Sequence, residues 1–211
     1  MQFGGLSRRI AQVLAGLLAV LGVTAGTAQA GPLVASAPDC ADEALSQPFT
    51  PWLDPAQYQL APDGAFEGGA AGWDLAGGAA VVADNEDAFV RGAGDSSALG
   101  LPSGASARSA TVCVGIEHPT IRFFVRRAGA ALPGSVRVDV LFEDATGAVQ
   151  RATIGTAGAG SSWAVTPVYP IVANLLALLP GEHTPVAFEL SAAGPAGWVV
   201  DDLYVDPYRS N

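Results

Sequence analysis

The stretch Trp198-Val199-Val200-Asp201-Asp202-Leu203-Tyr204-Val205 places two adjacent carboxylates inside an apolar run. In a strict β-strand Asp201 shares a face with Val199, Leu203 and Val205, while Asp202 shares the other with Trp198, Val200 and Tyr204. One carboxylate therefore points inward unless a bulge shifts the register. A buried carboxylate has to be hydrogen-bonded, ion-paired or bound to a cation, because burying the bare charge is prohibitively costly.

Other chemistry-bearing residues are sparse. Gly94-Asp95-Ser96 offers a serine, but a serine nucleophile needs a base and an orienting carboxylate, and no Asp-x-x-His follows near the C-terminus. It reads as a loop turn. The chain has no Gly-x-Ser-x-Gly, no His-Glu-x-x-His and no phosphate-cradling loop. Its two histidines lie in the turn-like segments Ile116-Glu117-His118-Pro119 and Gly181-Glu182-His183-Thr184, where they read as turn residues rather than bases. Twenty acids offer many carboxylate pairs of the glycosidase kind, and the sequence singles out none. The expectation is a protein without catalytic activity.

Charge narrows the partners. All ten basic residues are arginines, against 20 Asp plus Glu. Residues 1–30 contain Arg8, Arg9 and no acid, so the remaining chain has a net charge of 8 − 20 = −12. That field repels phosphate backbones and anionic membrane surfaces, and it suits cation binding.

Residues 1–30 read as a cleavable signal peptide. A positive start (MQFGGLSRR) is followed by an apolar run from Ile10 to Val23 and a small-residue stretch ending in Ala28-Gln29-Ala30. The apolar run has 14 residues, short of the roughly 20 a spanning helix needs. With cleavage after Ala30 no membrane span remains, and the chain is expected to be secreted or held in the cell envelope. In that oxidising setting the two cysteines, Cys40 and Cys113, are expected to form a disulfide.

Residues 31–62 carry five prolines from Pro38 to Pro62 and read as an extended segment that wraps the domain, tied at Cys40. Its Phe49, Trp52 and Tyr58 read as core staples in preference to a sugar platform. From residue 63 to 211 the pattern is all-β. Ile121, Phe123 and Val125 alternate with Arg122, Phe124 and Arg126, while Val136, Val138, Val140 and Phe142 alternate with Arg137 and Asp139. Further strands are expected at 79–84, 87–91, 97–101, 108–115, 149–155, 163–169, 185–191 and 197–206, about ten in all, which suits a β-sandwich of jelly-roll type. Pro170 to Gly181 has helical apolar spacing and is expected to be one short helix.

Asp63-Gly64-Ala65-Phe66-Glu67, followed by Gly72-Trp73 and the apolar 79–83, resembles the opening of galactose-binding-like jelly rolls, which include many carbohydrate-binding modules. The segment 198–205 resembles the last strand of the same superfamily. Asp63 stands where that opening usually has Asn. The chain also resembles secreted proteins of high-GC soil bacteria. The resemblance implies that first and last strands are neighbours and that a structural calcium ion sits there, with Glu67 and Asp201 or Asp202 as ligands. The alternative for these acids is hydrogen bonding to arginines and backbone amides.

The same resemblance, with the surplus of aromatics, implies a non-catalytic domain that binds carbohydrate or another cell-envelope polymer. Trp163, Tyr169 and Phe124 are the expected platform, since sugar rings stack on flat aromatic faces; core or rim packing is their alternative role. A structural or protein-interaction domain of the envelope without a small ligand is the competing reading, and a hydrolase the third.

Overall fold

A computed structural model describes residues 30–37, 40, 44–176, 179 and 182–206. The signal peptide expected at 1–30 lies outside these residues except for Ala30. Two antiparallel sheets stack as a sandwich. The first holds β1 (Leu45–Ser46), β2 (Tyr58–Leu60), β4 (Ala80–Ala83), β5 (Ser97–Leu101), β8 (Thr120–Ala128), β11 (Ala164–Val165), β12 (Tyr169–Pro170) and β14 (Gly197–Asp206). The second holds β3 (Asp74–Ala76), β6 (Ser106–Arg108), β7 (Val112–Val114), β9 (Ser135–Glu143), β10 (Val149–Ala157) and β13 (Thr184–Ala193).

Each sheet is built around one long strand. β14 pairs along its length with β8, and its other edge is shared by β5 against Trp198–Val200 and β2 against Tyr204–Val205. β13 likewise pairs with β9 on one edge, and with β6 and β7 on the other. Successive segments cross from sheet to sheet along the chain, the connectivity of a jelly roll.

Period-two alternation fills the space between the sheets. Ile121, Phe123 and Val125 from β8 meet Val136, Val138 and Val140 from β9 and Phe188 and Leu190 from β13, all essentially inaccessible to solvent. Burying each such side chain stabilises the fold by roughly 1.5 to 3 kcal/mol.

The outer face of the first sheet is covered too. Residues 44–60 lie across it, and Phe49 is the key of a second, smaller core with Tyr58, Phe124 and Tyr204. Phe49 meets Tyr58 edge-on at 4.8 Å and lies 5.7 Å from Phe124. The Arg122 guanidinium sits 4.9 Å over the Phe49 ring and pairs with Asp54 at 2.6 Å, while Tyr58 donates its hydroxyl to the same carboxylate. Phe49 and Tyr58 are thus the staples that the sequence suggested.

Three local expectations need correction. Residues 87–91 form no strand, because the Glu86 carboxylate accepts the Ala88 and Val90 amides and folds the segment back around itself. The extended segment begins with one helical turn, α1 (Pro32–Ala35), whose opening amides are taken by Glu143. The helix expected at 170–181 is reduced, among the described residues, to a 3-10 turn over Ala173–Leu176. Tyr169 and Pro170 are committed to pairing with β8 and the Ile171 amide to the Pro119 carbonyl, so no helix can start there. Residues 177, 178, 180 and 181 lie outside the description.

Cys40 and Cys113 are bonded across 73 positions, tying the N-terminal segment to β7. Constraining a loop of that length contributes about 4 kcal/mol in the chain-entropy view. The Cys40→Ser/Cys113→Ser double variant is expected to lose stability of that order in denaturant unfolding; an unchanged midpoint would contradict the role given to the bridge.

Candidate functional site

The opening and closing motifs meet in space. The Ala61 amide donates to the Leu203 carbonyl and the Leu203 amide donates to the Gly64 carbonyl, each at about 3 Å. A Cβ on Gly64 would stand 2.8 Å from the Leu203 oxygen, so only glycine permits this approach. Asp63 closes the loop behind it by accepting the Gly68 and Ala71 amides, and Phe66 packs at 5.0 Å on Trp73, whose indole N–H donates to the Pro62 carbonyl.

This contact sits where β14 breaks register. Against β8, Asp201 pairs with Phe124 but Tyr204 pairs with Arg122, so β14 carries one extra residue. Asp202 absorbs it with φ at +51°, a left-handed conformation that Asp tolerates better than most residues. The bulge keeps Trp198, Val200, Leu203 and Val205 all in the main core, and neither carboxylate is driven between the sheets.

Both carboxylates are nevertheless buried. Asp201 accepts the amides of Glu86 and Asp202. Asp202 Oδ1 is shut off from solvent with no hydrogen-bond partner among the described residues. Burial raises Asp201 to about 8, with the charge of Asp202 adding to the effect. Burial raises Asp202 to about 7, opposed by Arg91 and reinforced by Glu86, Asp95 and Glu67. Glu67, exposed, accepts the Ser96 and Ser97 amides, and Asp95 pairs with Arg91 at 3.1 Å. Asp202 Oδ1 is a hard oxygen donor of the kind calcium takes, but among the described residues these carboxylates do not converge as a set of three ligands. Glu86, which the sequence did not single out, lies between the strands expected at 79–84 and 87–91.

Of the three aromatics expected as a platform, Phe124 and Trp163 line one cleft and Tyr169 lies outside it. Phe124 does point away from the main core, as alternation requires, but Phe49 and its neighbours cover it and leave 2% of it exposed. Tyr169 packs against Phe123 and over Gly155, with its hydroxyl donating to the Thr156 carbonyl, and is 6% exposed. Trp163 is half-buried, with the Arg126 guanidinium 5.5 Å from its ring centre and Asp84 holding that guanidinium.

Trp52 lines the same cleft as Trp163. Pro51 opens a 3-10 turn and Leu53 closes it in the left-handed region, which turns Trp52 out of the small core to 37% exposure. Trp52 still touches Phe124 edge-on at 5.3 Å. Trp52 and Trp163 line a shallow cleft of about 80 Å³ with Phe124 at its base and Glu86, Asp87 and Ala88 along its wall. The Glu86 loop thus borders the aromatic cleft and, through its amide on Asp201, the acidic bulge.

The histidines lie in a separate cluster. His118 is buried and accepts the Gly115 amide at Nδ1, and His183 Nε2 lies 3.4 Å from Glu117. Glu117, His118 and His183 place one ligand atom each within 4.8 Å of one another, a spacing that could hold a metal ion, with His118 Nδ1 already accepting an amide.

No known family model and no curated protein matches the chain. Among solved structures it is similar to a family 61 carbohydrate-binding module in complex with β-1,4-galactotriose, at 15% identity over 69% of this chain and 96% of that one, TM-score 0.40. It is also similar to a family 22 xylan-binding domain from Paenibacillus barcinonensis, at 14% identity over 66% and 88%, TM-score 0.44. A family 16 carbohydrate-binding module matches at 16% identity over 70% and 99%, TM-score 0.44.

The raised acids set a pH response. A carboxyl whose folded value exceeds its unfolded value of about 4 binds more protons in the folded state, so stability falls as pH climbs from there through the folded values of about 7 and 8. In a chelator the melting temperature is expected to drop by roughly 5 °C or more between pH 5 and 8.5. Millimolar calcium restores it, and Asp202→Asn weakens both effects; a flat profile indifferent to calcium would refute the assignment.

Proposed function

We propose that this chain is a non-catalytic carbohydrate-binding domain, exported from the cell, that takes sugar rings on the cleft between Trp52 and Trp163. The observation that carries this reading is the cleft itself: two tryptophans, one of them more than a third exposed, beside the exposed carboxylate of Asp87. The C–H faces of a pyranose stack on indole rings, and carboxylate oxygens accept hydroxyl hydrogen bonds. A space of about 80 Å³ is too small to enclose a saccharide, so the sugar lies across the rim, as suits a residue within a polymer.

In this reading a calcium ion at the β14 bulge is structural. Asp202 supplies the buried oxygen and Glu67 and Asp95 add charge; Asp201, committed to two amides, shapes the loop. The bound ion would neutralise the acids that hold the Glu86 loop against the cleft. No step of chemistry is asked of it.

The acidic surplus and the absence of a nucleophile, base and orienter set in the sequence support binding over catalysis and over nucleic-acid partners. β-1,4-linked galactan and xylan oligosaccharides are suitable first probes for calorimetry, with affinity gels extending the panel to whole polysaccharides. Trp52→Ala and Trp163→Ala are each expected to weaken binding about tenfold or more, and Leu132→Ala, at an exposed position outside the cleft, leaves it unchanged. Absence of binding across the panel, or full affinity in both tryptophan variants, would overturn the reading and favour an interaction domain without a small ligand.

A further inference from the structure

Ala28-Gln29-Ala30 closes the N-terminal apolar region, and Gly31 follows it. In the folded domain the Gly31 nitrogen lies 3.1 Å from Glu143 Oε2, to which it donates. Glu143 Oε1 accepts the amides of Leu33 and Val34.

The fit around Gly31 is steric. Its φ of −77° and ψ of −179° are open to any residue, yet a Cβ there would stand 2.4 Å from the Gly147 carbonyl oxygen and 2.5 Å from the Glu143 carboxyl carbon. Downstream the segment is held firmly. Leu33 is buried against Leu141 and Ala187, Ser36 Oγ meets Thr111 Oγ1 at 2.7 Å, and Cys40 is bonded to Cys113. Upstream, Ala30 is exposed at the edge of a surface cavity that Glu143, Asp144 and His183 also line. Among the described residues the first tightly seated one is thus the one that a cut after Ala30 would make the N-terminus.

We propose that Glu143 is a built receptor for the protein's own processed N-terminus. Water cleaves the Ala30–Gly31 amide, its oxygen going to the Ala30 carbonyl carbon as a carboxylate and its hydrogen to the Gly31 nitrogen, which takes up a further proton. The amide–carboxylate hydrogen bond to Glu143, charged only at its acceptor, then becomes an ammonium–carboxylate ion pair charged on both sides. The proposal rests on residues 1–30 being a cleaved signal peptide, and it adds that cleavage stabilises the fold it releases.

The charged groups at this corner are Glu143 and Asp144, both favouring the ammonium, and His183. An amine that gains such a partner titrates above its ordinary range of about 7.7 to 8.0. Its stabilising contribution is complete below that range and disappears as pH rises through the folded value.

The test compares protein beginning at Gly31 with protein retaining Ala30, each with Glu143 and with Glu143→Gln, which keeps an acceptor oxygen. The Gly31 form is expected to melt about 2 to 4 °C higher near pH 6, with the gain erased by E143Q and lost at alkaline pH. Intact mass of the exported full chain reports the processing site separately. A start other than Gly31 overturns the processing premise; a Gly31 start with equal melting temperatures, or a gain that survives E143Q, overturns the receptor.

Discussion

The bulge in β14 is the constraint on which the rest depends. β14 is flanked by β8 on one edge and by both β2 and β5 on the other, so its residues have almost no route to solvent. A regular strand with this sequence would send Asp201 or Asp202 into the main core. The extra residue sends Leu203 there instead and sets the carboxylates at the gap between β5 and β2. What fills the gap follows from their needs: the Glu86 amide on Asp201, and the Gly64 loop on Leu203.

That arrangement fixes the outer face of the first sheet. The Glu86 loop reaches from the bulge to the cleft, and the N-terminal segment lays Phe49, Tyr58 and Trp52 over Phe124 and Tyr204. Two of those three aromatics are spent on packing. Trp52 is left at the rim beside Trp163, where Arg126 and Asp84 brace the second indole. Structure and proposed recognition share a surface here: the layer that closes the small core also supplies the exposed ring.

Much of the fold was legible because period-two alternation bounded by turn residues is a local signal. β5 and β14 begin and end where the sequence places them, and the jelly-roll connectivity follows from such strands in number. The failures are all non-local or side-chain driven. Ala88-Phe89-Val90 looks like a strand, but the Glu86 carboxylate captures its amides. Phe124 was placed on the correct face, yet nothing near it in sequence says that residues some seventy positions earlier cover that face. Trp52 read with the staples because its outward turn depends on Leu53 adopting a left-handed conformation, which residue type does not foretell. The pairing of Cys40 with Cys113 was readable by count alone.

The central claim is that the Trp52–Trp163 cleft is where saccharide binds. The chain has four tryptophans, and two of them, Trp73 and Trp198, are buried in the main core. The direct measurement is therefore an NMR titration of the four indole N–H signals of the ¹⁵N-labelled protein with a β-1,4-linked oligosaccharide. The account predicts that the Trp52 and Trp163 signals shift together and saturably while those of Trp73 and Trp198 stay in place. Saturable shifts confined to residues elsewhere on the surface, with Trp52 and Trp163 unmoved, would contradict it.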